Sequence, residues 1–171
     1  MKFTRLLALG WCAPIVLTAF LLVSGLQHTA FAQTAEDRGD MKDRIAIQEK
    51  LLYAYAYAYD SKDCVSWANL FTTDAILDFG NNKPTTGRDG ILEGCITRQK
   101  SVVGAIKTRH NMTNIVFDQL TSTNAETRTY VVLTWQKPDD LTPSMQRALT
   151  YRDVIAKQDD GKWLFKERHF E

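Results

Sequence analysis

The sequence predicts an α+β domain, with helices first and a curved, mostly antiparallel sheet after them, and three observations carry that prediction. Between Asp43 and Asp60 the residues Ile47, Leu51, Tyr55 and Tyr59 recur every four positions, the spacing of one helix face. From Lys107 onward, four stretches rich in β-branched and aromatic residues follow one another: Lys107–Thr121, Thr127–Lys137, Met145–Gln158 and Trp163–Phe170. They are separated by "TSTNA", "PDDLTP" and "DDG", the last a strong hairpin signal. Helices followed by consecutive strands bury their apolar stripes on one side of a sheet.

The chain has 171 residues and a formal charge of +1, which suits one globular domain. Its first 32 residues are set apart from that domain. Lys2 and Arg5 precede an apolar run, Leu6 to Leu26, and "AFA" at Ala30 to Ala32 closes it, the pattern of a cleaved signal peptide. Pro14 and Gly25 within the run favour cleavage over a retained membrane anchor, so the expected destination is periplasmic or secreted, with no stable membrane attachment. Cleavage removes Lys2 and Arg5 and no acid, taking the charge to about −1, too little positive charge to hold nucleic acid. Residues 33–42 are polar and aperiodic and are expected to form a disordered leader, which leaves 43–171 as the domain.

The first helix, from Asp43 as cap to Asp60, contains the stretch "LLYAYAYAYDSKD". Its alternation suggests a strand, but the three alanines disfavour one and the helix accounts for the whole segment. Tyr53 and Tyr57 lie opposite Tyr55 and Tyr59, so this end is predicted to be buried on more than one side and to border a cavity. Cys64–Phe71 is predicted as a second helix, Ala75–Phe79 as a strand, Gly80–Lys83 as a turn before a short strand, and Arg88–Val103 as a third helix. Cys64 and Cys95 fit no zinc pattern; a disulfide and two buried thiols are both compatible with their placement.

The motifs "YDSKD" (Tyr59 to Asp63), "TRHNMTN" (Thr108 to Asn114) and "DDGKWLF" (Asp159 to Phe165), in that order and spacing, resemble the SnoaL-like and scytalone dehydratase-like branch of the nuclear transport factor 2-like superfamily. The resemblance spans Asp43 to the C-terminus. It implies a cone-shaped fold in which three N-terminal helices pack on a curved sheet and enclose a pocket. It also implies an acid–base pair, Asp60 with Tyr59 beside it and His110 on the third strand. No cofactor and no metal are implied. The family's second histidine falls on Gln136, a pocket tyrosine on Phe79, and the serine and asparagine of the fifth strand on Thr150 and Arg152, so dehydration of scytalone itself is not expected. Tyr55, Phe79, Met112, Asn114, Gln136, Thr150 and Arg152 are the expected substrate-contacting residues.

Chemistry supports the pair. A neutral imidazole oriented by a carboxylate can take a proton beside a carbonyl or protonate a leaving hydroxyl. Alternation would put His110 on one face with Met112, Asn114 and Val116. A carboxylate at a helix C-terminus opposes the helix dipole by roughly 0.3–1 kcal/mol, so replacing Asp60 is expected to leave stability unchanged or higher. Arg152 could pair with Asp60 or hold an anionic substrate. If His110 and Gln136 face the pocket, Ile115, Phe117, Val131, Leu133 and Trp135 form an outer apolar face suited to a homodimer. Two functions remain open: a cofactor-free dehydratase, isomerase or cyclase acting on an apolar, cyclic or aromatic small molecule, or a binding protein for such a molecule.

Overall fold

The computed structural model describes residues 39–171 except Asn82. The expected signal peptide, 1–32, and most of the expected leader lie outside the described residues. The order is α1 (Met41–Ile47), a π-helical segment (Gln48–Leu52), α2 (Tyr53–Asp60), α3 (Cys64–Ala68), β1 (Phe71–Asp78), β2 (Thr85–Thr86), α4 (Arg88–Gln99), a 3₁₀ turn (Val102–Ala105), β3 (Lys107–Leu120), β4 (Asn124–Gln136), β5 (Ser144–Lys157) and β6 (Trp163–Phe170). One sheet holds all six strands in the order β2-β1-β6-β5-β4-β3. Every pairing is antiparallel except β1 with β6, which is parallel. The α+β layout is as the sequence predicts.

Helix boundaries differ from prediction for local reasons. Asp40, not Asp43, caps α1, its carboxylate accepting from the Asp43 backbone N–H at 2.8 Å. Met41 and Lys42, expected in the leader, are therefore helical. Asp43 turns inward and accepts from Lys157 Nζ at 2.7 Å and Trp163 Nε1 at 3.0 Å, tying the first turn to β5 and β6. The second helix ends at Ala68 and Phe71 already begins β1, because Phe165 donates its backbone N–H to Leu70 O at 2.9 Å and draws the chain into the sheet. The third stops at Gln99, four residues before the predicted end.

The tyrosine run is helical, as its alanines required. Tyr55 is buried and Tyr59 packs on the core, but Tyr57 is 79% exposed and Tyr53 is exposed as well, so the expectation of burial on two sides fails. One face meets the sheet, and on the other Asp60 reaches to β3. After Asp60 the helix ends in a Schellman turn: Asp63 N–H donates to Ala58 O at 2.9 Å and Lys62 N–H to Tyr59 O at 3.0 Å. Lys62 takes the left-handed conformation usual for glycine there, with φ 65°. Asp63, rather than Asp60, then caps α3 through Ser66 N–H at 2.9 Å.

The core is aromatic. Tyr55 meets Trp67, Phe71, Tyr151 and Phe165 with ring centroids 5.4–6.1 Å apart. Among them lies a fully buried ion pair: Arg168 Nε and Nη2 donate to the two oxygens of Asp153, each at 2.7 Å. The guanidinium also covers the rings of Phe165, Tyr55 and Tyr151 at 4.0–4.3 Å.

Irregularities curve the sheet. β3 breaks register against β4 between Thr113 and Val116 and again before Gln119, and Asn114 sits at the first break with φ 52°. Residues before the break alternate with Thr108, His110 and Met112 inward, whereas after it Ile115 and Phe117 face inward and pack on the core. The predicted shared face of His110, Met112, Asn114 and Val116 therefore ends at Met112. The predicted outer face is also overturned: Val131 is buried in the core, and Leu133 and Trp135 share the inner face with His110.

Cys64 and Cys95 are disulfide-bonded, with Cα atoms 5.7 Å apart, so α3 is linked to α4 across 31 residues of chain. Closing a loop of that length in the unfolded state stabilises the fold by roughly 2–4 kcal/mol. Cys95→Ser should lower stability by about that amount in denaturant titration, and wild type under reducing conditions should approach the variant. An unchanged unfolding midpoint after verified reduction would contradict the linkage.

Candidate functional site

The site forms where α2 ends against the edge strand β3. The Schellman turn stops the helix so that Asp60 projects toward β3, and its carboxylate accepts three hydrogen bonds from that strand. Thr108 Oγ1 donates to Oδ1 at 2.7 Å, the His110 backbone N–H donates to Oδ2 at 2.9 Å, and His110 Nδ1 lies 2.7 Å from Oδ1. The side chains of His110 and Asp60 are only 4% and 11% exposed, so little water competes.

Burial pushes the Asp60 carboxyl upward, but its hydrogen bonds to His110 and Thr108 outweigh that and hold it below the ordinary value of 3.8. An ionised carboxylate only accepts, so the hydrogen in the shared contact belongs to Nδ1 of the imidazole. In a neutral ring the lone pair is then on Nε2, away from Asp60. Tyr55 and Tyr59 fix the ring from its faces, both in edge-on contact with centroids 5.9 and 5.3 Å away.

His110 borders two spaces. One is a groove of about 590 Å³ along the outer side of α2 and β3, with Tyr53, Ala56, Asp60 and Met112 among its walls. The other is an interior chamber of about 100 Å³ between helices and sheet, walled by Tyr55, Tyr59, Phe79, Leu133, Trp135 and Phe170, with Thr108, Arg98 and Arg147. His110 lines both spaces, whereas Asp60 lines the groove and not the chamber. The chamber's walls are mostly aromatic, and the exposed residues Arg98 and Arg147 stand at its edge toward solvent. Tyr59 bounds it, and burial raises the pKa of its hydroxyl against the opposing influence of the nearby Arg98. Burial likewise pushes the Tyr55 hydroxyl up to about 12.

The structure thus brings together Asp60, His110, Tyr59, Tyr55 and Phe79. Met112 faces the groove rather than the chamber. Asn114 is exposed at the β3 irregularity and lines neither. Gln136, Thr150 and Arg152 lie on the opposite face of the sheet. Gln136 Nε2 donates to Asp140 O at 3.0 Å, Thr150 pairs across the sheet with exposed Tyr130, and Arg152 Nε donates to Glu171 Oε2 at 2.5 Å. The proposed partnership of Arg152 with Asp60 is therefore excluded. Strand parity explains all three errors, since a one-residue slip turns every side chain to the other face. The inward residues are Trp135 and Tyr151, each one position away from an expected residue.

Arg98, Arg147, Leu133 and Trp135 were missed by sequence reasoning. A signal existed for β4: Glu126 and Arg128 share parity with Gln136, and two charges on one parity mark the solvent face. No comparable signal marked Arg98 among the polar residues of α4.

A model of the SnoaL-like domain matches residues 39–169, and the chain belongs to that family. Solved structures share the fold. A candidate scytalone dehydratase from Novosphingobium aromaticivorans is 24% identical with a TM-score of 0.63, the match covering 76% of this chain and 84% of that one. ActVI-ORFA from Streptomyces coelicolor is 18% identical with a TM-score of 0.67, covering 75% and 96%. A protein from Catenulispora acidiphila, determined in complex with S-DNPA, is 18% identical with a TM-score of 0.66, covering 75% and 94%. No curated protein sequence matches the chain.

Three hydrogen bonds to a charged acceptor overturn the expectation that Asp60 is a local liability. Asp60→Asn should destabilise the fold by about 1–3 kcal/mol, since the amide would set a donor against the His110 N–H or Thr108 hydroxyl. A carboxyl held below its unfolded value stabilises the fold above that value and loses the contribution as pH falls through the lowered one. The stability gap between wild type and Asp60→Asn should be constant at neutral pH and shrink below about pH 4. A gap absent at pH 7 would show that the three contacts contribute nothing.

Proposed function

We propose that this SnoaL-like domain is a small-molecule enzyme in which Asp60 and His110 act as an acid–base pair on a cyclic or aromatic substrate, by dehydratase, isomerase or cyclase chemistry without a cofactor. The observation carrying the proposal is the Asp60 carboxylate on His110 Nδ1 at 2.7 Å, in a residue that also lines an aromatic chamber. That arrangement suits a base that removes a proton next to a carbonyl through Nε2 and returns it to a leaving hydroxyl or a second carbon. The Tyr59 hydroxyl is a donor at the same chamber for developing oxyanion charge. The small-molecule ligand of the Catenulispora protein agrees with a pocket of this kind. A non-catalytic binding role would need no carboxylate behind the imidazole, and the Asp60 contact favours catalysis over it.

Deuterium incorporation from D₂O into a panel of cyclic ketones and hydroxyketones, followed by NMR, gives a readout of proton transfer. Asp60→Asn and His110→Ala should each slow exchange by roughly 10²- to 10⁴-fold. The double variant should be little slower than the worse single, because the two groups act as one unit. Exchange that matches wild type in both variants would refute the pair, and ligand binding with no exchange in wild type would leave the binding function in its place.

We also infer export as a homodimer. The disulfide supports an oxidising compartment. Val116, Tyr130, Val132 and Met145 are exposed together on the outer sheet face, where the apolar patch suits a second copy. Protein recovered from outside the cytoplasm should begin at Gln33 by intact mass and scatter light as a dimer, and Tyr130→Lys should make it monomeric. A chain retaining Met1, or a wild-type monomer at micromolar concentration, would contradict the respective inference.

A further inference from the structure

We propose that the chamber at His110 takes a small cyclic carboxylate, gripped by the guanidinium groups of Arg98 and Arg147. This rests on the acid–base reading and narrows its substrate class. The chamber's described lining contains two arginines and no carboxylate. The adjoining cavity of about 150 Å³ adds Lys83 and again no acid among its described residues. Arg128 pairs with Asp118, Arg152 with Glu171 and Arg168 with Asp153, while Arg88 and Arg109 donate to backbone carbonyls. Arg98 and Arg147 form no such pair among the described residues. Arg98 rests instead over the Phe79 ring at 4.7 Å and beside the Tyr59 hydroxyl.

A second, independent observation concerns Trp135. It lines the same chamber, and its indole N–H is buried without a hydrogen-bond partner. Buried donors are almost always satisfied, and an orphan at a cavity wall is best satisfied by what enters the cavity. Guanidinium groups, an indole N–H and a phenol together form a set of donors with few acceptors, which selects an anion with several lone pairs. The aromatic walls require the remainder of the molecule to be apolar and flat.

Size adds a role for Arg98. A cavity that holds a single six-membered ring is about 150 Å³, more than the chamber offers alone. The chamber and its neighbour share Tyr59, Phe79 and Arg98 as their partition. Of these only Arg98 is exposed, and its displacement from the Phe79 ring by the entering ligand joins the two spaces and admits the ring.

Benzoate and its neutral isostere benzamide test this without knowledge of the natural substrate. In NMR titrations read at the Trp135 indole and the His110 ring, benzoate should bind at least tenfold more tightly than benzamide. Arg98→Gln and Arg147→Gln should each bring that ratio toward one while leaving benzamide binding in place. Equal affinity for the two probes, binding of neither, or a benzoate preference that survives both arginine substitutions would overturn the proposal. The His110→Ala variant separates it from the catalytic reading: a carboxylate preference retained there, with no proton exchange in wild type, would sink catalysis alone. Exchange on neutral ketones with no carboxylate preference would sink the carboxylate proposal alone.

Discussion

The Asp60 carboxylate is the contact on which the site depends. It sits at the last residue of a helix, where the dipole opposes it, and is stabilised by donors from one segment of the edge strand β3. Those bonds do two things together. They pin the end of α2 to the sheet, and they place the imidazole hydrogen on Nδ1, which leaves the lone pair of a neutral ring on Nε2. The irregularity at Asn114 lies just beyond these donors, so Thr108 and His110 belong to the regular part of the strand whose register with β4 is unbroken.

Behind the site, the Arg168–Asp153 pair gives the aromatic core its rigidity. Removing either partner would leave a buried charge, at a cost of about 3–5 kcal/mol. The guanidinium packs on Tyr55, and Tyr55 in turn meets the His110 ring at 5.9 Å, so the ion pair supports that ring through one intervening side chain. Tyr59 and Trp67 complete the wall from the helical side at 5.2 Å. The disulfide holds α4, and with it Arg98, against the same wall. Chain order thus places Asp60 and His110 on the two elements that meet at the sheet edge.

Much of this was legible from the residues. The helical period through Ile47, Leu51, Tyr55 and Tyr59 predicted which tyrosines face inward. The motifs around Asp60 and His110 pointed to two side chains that do meet, because one is local to a helix end and the other to a regular strand segment. Gln136, Thr150 and Arg152 failed because their assignment needed strand parity at a distance from any motif, and both parities of "TYVVLTWQ" carry apolar residues. Asp153 and Arg168 satisfy each other inside the core, where they reverse the usual rule that charge marks the outer face. Arg98 and Arg147 owe their place at the chamber to tertiary packing alone.

The central claim is that Asp60 holds His110 with Nδ1 protonated and Nε2 free to act as the base. Long-range ¹H–¹⁵N correlation of the His110 ring in its neutral form measures this directly, assigned by comparison with His110→Ala. The account predicts the Nδ1–H tautomer in wild type and a shift of that equilibrium in Asp60→Asn. An Nε2–H tautomer in wild type, unchanged by Asp60→Asn, would contradict it.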